Sequence, residues 1–389
     1  MESHKKKMSF VLVVTALLLG SHLYGQSKSN WMENVLVETR VNYGFLINHH
    51  LEMEIYNSHF PMFEINIGKE TFGKKRWHSH YLYPFLGLSY QYSHLGNSDI
   101  LGSSHAVFPY INYPLFRNSR KSLNFRVGLG LAYLTKCYDR INNYKYIAIG
   151  SHINAAANFV LEYRYEISTR LQTSIGLSLT HFSNGSTKNP NYGINIPTVD
   201  ASLAYRLKRK ENYREYKLLP DLYVFEFPKP KSFDFSANFN VAFKDMENIN
   251  NRKFMVYNFA FTTMKRISYK SSFGAAVDIT SHGADYYIAD YDSVEYKRKS
   301  QLLRVGASAM YKLSMSKLHY YGGMGFYFNG KVVRWESYFK VGLQYDITDY
   351  LFADLTLRTN FGKADFVGLG LGYKFTYYGD GRKHRSGGG

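Results

Sequence analysis

His181 and Ser183 stand two positions apart in the stretch THFSNGSTKNPNYGIN, residues 180–195, and Asn195 follows the His by fourteen positions. A serine hydroxyl is a poor nucleophile until a histidine takes its proton. The histidine in turn needs a third group to fix its tautomer and orientation. An amide carbonyl can be that group, although it stabilises an imidazolium less than a carboxylate does. Backbone N–H groups of Asn184 and Gly185 would then lie where an oxyanion develops, and Gly185 lets the chain approach a substrate closely. His-x-Ser alone is common, so the elements that carry these residues decide whether they meet.

Those elements read as strands. In LQTSIGLSLTHFSN (171–184), the apolar stripe Ile175, Leu177 and Leu179 runs straight into His181 and Ser183. Residues two apart on a strand share a face. In GINIPTVDASLAYRL, the stripe Val199, Ala201, Leu203, Tyr205 extends back to Asn195, while Asp200 takes the opposite face. With an unbroken register through Pro197, Ser183, His181 and Asn195 converge on the apolar side of one hairpin.

The same alternation recurs along the chain, in SLNFRVGLGLAYLT, FDFSANFNVAFK, ESYFKVGLQYDI and ADFVGLGLGYKF. A β-sandwich would also alternate, but its strands average about five or six residues. These are longer, as strands that cross a bilayer at a tilt must be. Aromatic residues make up 17% of the chain, with 36 Tyr and 28 Phe, as in the girdles of membrane barrels. The expected fold is all-β: an outer-membrane antiparallel β-barrel of about 14–16 strands, apolar outside and polar in the lumen. One large barrel and two eight-stranded units both fit. The single barrel, the commoner arrangement, is preferred, although the charged linker favours two.

The N-terminus agrees with export. Lys5, Lys6 and Lys7 precede a short apolar run from Met8 to Leu19, the pattern of a signal peptide over 1–25. The region 26–208 carries the site, 209–232 reads as a linker, 233–378 as a second barrel region without the site, and 379–389 as a polar tail. No later run is long and apolar enough for a membrane helix. Cys137 is the only cysteine, so no intrachain disulfide forms. The net charge is +18, and +16 without Glu2, Lys5, Lys6 and Lys7. For an exported protein this points to acidic lipid head groups or lipopolysaccharide phosphates. No nucleic-acid module is present, and no metal or other cofactor is expected.

At the hairpin the sequence resembles the outer-membrane lipid A 3-O-deacylases, the PagL-like family. His181, Ser183, Asn184, Lys188, Pro190, Asn191, Gly193 and Ile194 match that family's pattern. The resemblance implies a serine esterase that removes an ester-linked acyl chain from lipid A at the outer barrel face, with Ser183 as nucleophile and His181 as base. It spans about residues 33–208 and is sharp at 181–194. Where the family has Glu, this chain has Asn195. That substitution, with His181, Ser183, Asn184 and Gly185, resembles the outer-membrane phospholipases A instead, which are calcium-dependent and dimeric. The added second half resembles the larger acyloxyacyl hydrolases. A pore or adhesin with an incidental His-x-Ser is the non-enzymatic alternative.

The second half repeats the pattern without the chemistry. GLSLTHFSN (176–184) aligns with DLTLRTNFG (354–362), which sets His181 against Thr359 and Ser183 against Phe361. Elsewhere, His78 and His80 are expected on one face of a strand, and His49 and His50 on opposite faces. GLGLG (368–372) is expected in a strand with its glycines facing the lumen. The acidic stretch 282–295 is expected as an exposed loop, since it lacks EF-hand spacing.

Overall fold

The computed structural model describes residues 32–47, 51–56, 58–72, 75–208, 232–246, 252–333, 336–360 and 363–378. The leader, the tail, His49–His50 and the linker up to Ser232 lie outside the described residues.

The preferred single barrel is corrected: the strands close into two barrels of eight. The first contains β1 (Val35–Phe45), β2 (His59–Glu70), β3 (Phe85–Ser93), β4 (Ser104–Arg117), β5 (Lys121–Leu134), β6 (Ile153–Glu166), β7 (Leu171–Ser183) and β8 (Ile194–Arg206). The second contains β9 (Ser232–Met246), β10 (Arg252–Arg266), β11 (Ser271–His282), β12 (Arg304–Met315), β13 (Leu318–Asn329), β14 (Ser337–Asp346), β15 (Leu351–Asn360) and β16 (Lys363–Tyr378). Within each barrel, every strand pairs antiparallel with its sequence neighbour. β1 meets β8 at Val41↔Ala201, and β9 meets β16 at Phe239↔Leu371. Closure removes every sheet edge.

Alternation decides which face each side chain takes. On β7, Gln172, Ser174, Ser178 and Thr180 are buried in the lumen, while Ile175 and Leu177 are 65% and 61% exposed on the outside. In the second barrel, Leu369 and Leu371 face out and Gly368, Gly370 and Gly372 face in. Such a continuous apolar outer wall needs hydrocarbon rather than water against it.

The lumens are filled with side chains, as expected of eight strands. Arg40 is held by Glu38, Glu162 and Asp200, and Arg126 by Glu64 at 2.6 Å. In the second barrel Asp278 pairs with Lys340 and Arg358, each at 3.0 Å. The expected polar lumen holds only in part. Toward the end where residues 184–193 connect β7 and β8, the first barrel is packed with Leu46, Tyr56, Phe60, Phe108, Tyr146, Phe182 and Ile194. The connections themselves fold in here, so the inward residues meet other apolar groups rather than water or charge.

Two local expectations also change. Residues 76–80 form a short helix, α1 (Arg76–His80), not a strand. His78 packs edge-on against Trp77 with centroids 4.4 Å apart, and burial together with Lys75 lowers its pKa to about 4. His80 stacks on Tyr269 of the second barrel at 3.9 Å, so the two histidines do not share a ligand position. The acidic stretch is not simply an exposed loop. It contains α2 (Asp285–Tyr291), and Asp285 turns inward to Arg304 at 2.8 and 2.5 Å. That buried ion pair draws the helix onto the mouth of the second barrel.

Candidate active site

The end of β7 presents two faces with different duties. Phe182 points inward and is fully buried in the apolar cluster, next to Ile194 and Ile196 of β8. His181 and Ser183, on either side of it in sequence, point outward and are half-buried. The packed phenylalanine therefore anchors the strand end that carries the polar pair.

The β7–β8 register runs without a shift through Leu179↔Pro197 and pairs His181 with Asn195. Across that pair His181 Nδ1 and Asn195 Oδ1 are 2.7 Å apart. An amide oxygen can only accept, so the proton lies on Nδ1 and Nε2 is the nitrogen that carries the lone pair. Asp200, the nearest carboxylate along β8, is in the lumen with Arg40 and is turned away from the histidine.

Ser183 Oγ receives two N–H donors: Asn191 Nδ2 at 3.0 Å and the Gly185 backbone at 3.2 Å. Its own hydrogen points to Asn191 Oδ1 at 3.3 Å, so the hydroxyl must turn from that amide before a base can take its proton. The Asn184 N–H donates to Asn191 Oδ1 at 3.0 Å. Both backbone groups expected at an oxyanion thus face the Ser183–Asn191 contact. The Asn184 side chain is buried and donates to Ser151 Oγ at 2.9 Å and to Lys188 O at 2.7 Å, which fixes the start of the loop. Asn191 had no assigned role in the sequence. It belongs to the loop pattern, but only the folded loop brings it back over Ser183.

Two glycines are required by geometry. Gly193 has φ +83, and a Cβ there would lie 3.0 Å from His181 Cε1, so a side chain would push the imidazole. Gly185 has φ +62, and a Cβ there would collide with Val367 of the second barrel. Next to the pair on β6, Ala157 is in register with His181 and Ala155 with Ser183. Farther along the same outward stripe come Phe159, Leu161 and Tyr163. The alanines set only methyl groups on the outer wall beside the pair.

Among the described residues, no group of three or more His, Cys, Asp or Glu converges as metal ligands would. A set consisting of a serine, a histidine held by an amide and loop N–H groups suits acyl transfer by a covalent serine intermediate.

The family profile described as lipid A 3-O-deacylase (PagL) matches residues 61–204, and that described as acyloxyacyl hydrolase, C-terminal domain, matches residues 232–377. Among solved structures, the chain is similar to the outer membrane enzyme PagL at 14% identity, covering 42% of this chain and 97% of that one, with a TM-score of 0.30. It is also similar to Neisserial surface protein A (NspA), at 10% identity over 45% and 97% of the two chains, TM-score 0.30. A mutant porin of Rh. blastica gives 10% identity over 88% and 99%, TM-score 0.18. No curated protein matches the chain.

Proposed function

We propose that this chain, which belongs to the lipid A 3-O-deacylase (PagL) family and carries that family's C-terminal domain, hydrolyses an acyl ester of lipid A in the outer membrane with Ser183 as nucleophile. The observation that carries the reading is the 2.7 Å contact between His181 and Asn195 on the outward, apolar wall of the barrel, beside Ser183. A membrane lipid reaches that wall by lateral diffusion, with its acyl chains already in the hydrocarbon.

The connections 135–152 and 184–193 lie at one end of the first barrel, and the short turns 118–120 and 167–170 lie at the other, together with the one longer segment between Glu70 and Phe85. In outer-membrane barrels the long loops face outward. β7 is an odd-numbered strand, so with a periplasmic start it runs outward and the site meets the outer leaflet, where lipopolysaccharide resides. Lumens filled by ion pairs and apolar side chains leave little room for a pore.

His181 Nε2 takes the Ser183 proton as Oγ bonds to the ester carbon. The carbonyl oxygen becomes an oxyanion, and the Gly185 and Asn184 N–H groups turn from the Ser183–Asn191 contact toward it. The imidazolium returns its proton to the leaving sugar oxygen. Water, activated by the same histidine, then cleaves the acyl-serine to free fatty acid and regenerates Ser183. Asn195 keeps Nδ1–H oriented throughout but adds no negative charge to balance the imidazolium.

Asn195 in place of a carboxylate is the one observation that favours a phospholipase. Both readings are tested by supplying the purified protein in detergent with lipid A or with a glycerophospholipid, each with and without a calcium chelator. Fatty acid from lipid A, unaffected by the chelator, supports deacylation. Release from the phospholipid alone, stopped by the chelator, replaces it with the phospholipase.

A further inference from the structure

The loop that follows Ser183 is held from two sides. Its beginning is tied to its own barrel, through the Asn184 side chain on Ser151 and Lys188, and through Thr187 Oγ1 on Asn184 O at 2.9 Å. Its Gly185, Ser186 and Asn189 portion is gripped by the other barrel. Asp245, at the end of β9, accepts the Asn189 N–H on Oδ2 at 2.9 Å and the Asn189 Nδ2–H on its backbone oxygen at 2.8 Å. The Asp245 N–H donates to Ser186 O at 2.8 Å, and Ser186 Oγ donates to Ala364 O of β16 at 2.9 Å. Val367 of β16 closes over Gly185.

We propose that the second barrel is the clamp that sets the oxyanion side of the first barrel's site, with Asp245 as the positioning residue. The inference rests on the esterase reading of Ser183. Gly185 supplies the backbone N–H that reaches Ser183 Oγ, at 3.2 Å, and the next residue, Ser186, is tied to the second barrel through both its carbonyl and its hydroxyl. Asp245 is 3% exposed, and a buried carboxylate is costly unless its hydrogen bonds are made. The loop supplies one such bond, from Asn189 N–H to Oδ2, and none is made to Oδ1 among the described residues; the other two ties to the loop come from the Asp245 backbone, so the loop and this residue hold each other in place. At the opposite ends of the barrels, Tyr81 Oη donates to Ser314 O at 2.9 Å and Trp77, Tyr81 and Met315 form a buried cluster. These contacts keep the barrels side by side without touching the loop. A barrel that lacks the His-x-Ser pair thereby gains a part in the reaction: without it, Gly185 and Ser186 lose their partners and the oxyanion donors drift.

The test uses the full-length protein in detergent. Asp245→Ala is expected to lower kcat roughly ten- to hundredfold, the effect of a misplacement on the order of an ångström, with KM within about twofold of wild type. Asp245→Asn keeps an oxygen that accepts the Asn189 N–H and is expected to recover most of the rate. Tyr81→Phe loosens only the far contact and is expected to leave kcat unchanged. A readout independent of turnover is tryptic cleavage after Lys188, which is exposed in this loop. Asp245→Ala should be cut there at least several-fold faster than wild type, with an unchanged melting curve. Equal cleavage in wild type and Asp245→Ala, or equal loss of rate in Asp245→Ala and Asp245→Asn, overturns the clamp. If wild type releases no acyl chain yet the cleavage difference is present, the clamp stands and the esterase reading falls.

Discussion

The β7–β8 hairpin of the first barrel and the β15–β16 hairpin of the second are built alike. Each is the closing hairpin of an eight-stranded barrel, each alternates apolar outward and polar or small inward, and each leads into the strand that seals the sheet. They differ at the rim. β7 ends in His181 and Ser183 and is followed by residues 184–193, which fold back over the serine. β15 has Thr359 where the first has His181, and β16 begins already at Lys363, with a register shift at Arg358/Thr359. The barrel framework is therefore indifferent to what stands on the outer face near the rim. On the proposed reading, lumen residues such as Arg40 and Arg358 carry stability, and a few outward residues under a covering loop carry the chemistry.

That division predicts opposite effects from neighbouring substitutions. Ser183→Ala or His181→Ala should reduce acyl release by about 10³-fold or more while leaving thermal unfolding in detergent unchanged. The matching Thr359→His should create no activity, since no loop and no serine accompany it. Arg40→Ala and Arg358→Ala should do the reverse. Arg40→Ala leaves buried Asp200 without its cation, at a cost of about 3–5 kcal/mol read from denaturant unfolding, and Arg358→Ala, which leaves Asp278 to Lys340 alone, should cost less. A similar loss from His181→Ala would break the comparison.

Two smaller effects sharpen it. Asn195→Ala should slow release on the order of 10²-fold, less than loss of the base itself, because the imidazole remains but its tautomer is free. Asn195→Glu should match or exceed wild type, since a carboxylate at the same register position balances the imidazolium. Ala157→Phe sets a ring on the outer wall in register with His181 and should raise KM for lipid substrate about tenfold, as expected for a displaced acyl contact of about 1–3 kcal/mol. The same enlargement on the second barrel's outer wall, Ala307→Phe, should leave KM alone.

Much of this was legible from residue order. Strand parity alone puts His181, Ser183 and Asn195 on one face, Asp200 on the other, and Gly368, Gly370 and Gly372 inward, because a pleated strand has no other choice. The number of barrels was not legible. Alternation is identical in one large barrel and two small ones, and the choice lies in the long-range pairings of β1 with β8 and β9 with β16. Burial of Phe182 and Ile194 inward also escapes a rule that lumens are polar, since it depends on the connections folding into the barrel mouth. The roles of Asn191 and Asp245 belong to loop and inter-barrel geometry, which spacing along the chain does not encode.

The most direct test of the central claim is mass spectrometry of lipid A after incubation with the full-length protein and with Ser183→Ala. Wild type should remove the mass of one 3-hydroxyacyl chain and release the corresponding free acid, and Ser183→Ala should leave lipid A intact. Lipid A of unchanged mass with the wild type, or equal deacylation by Ser183→Ala, would contradict it.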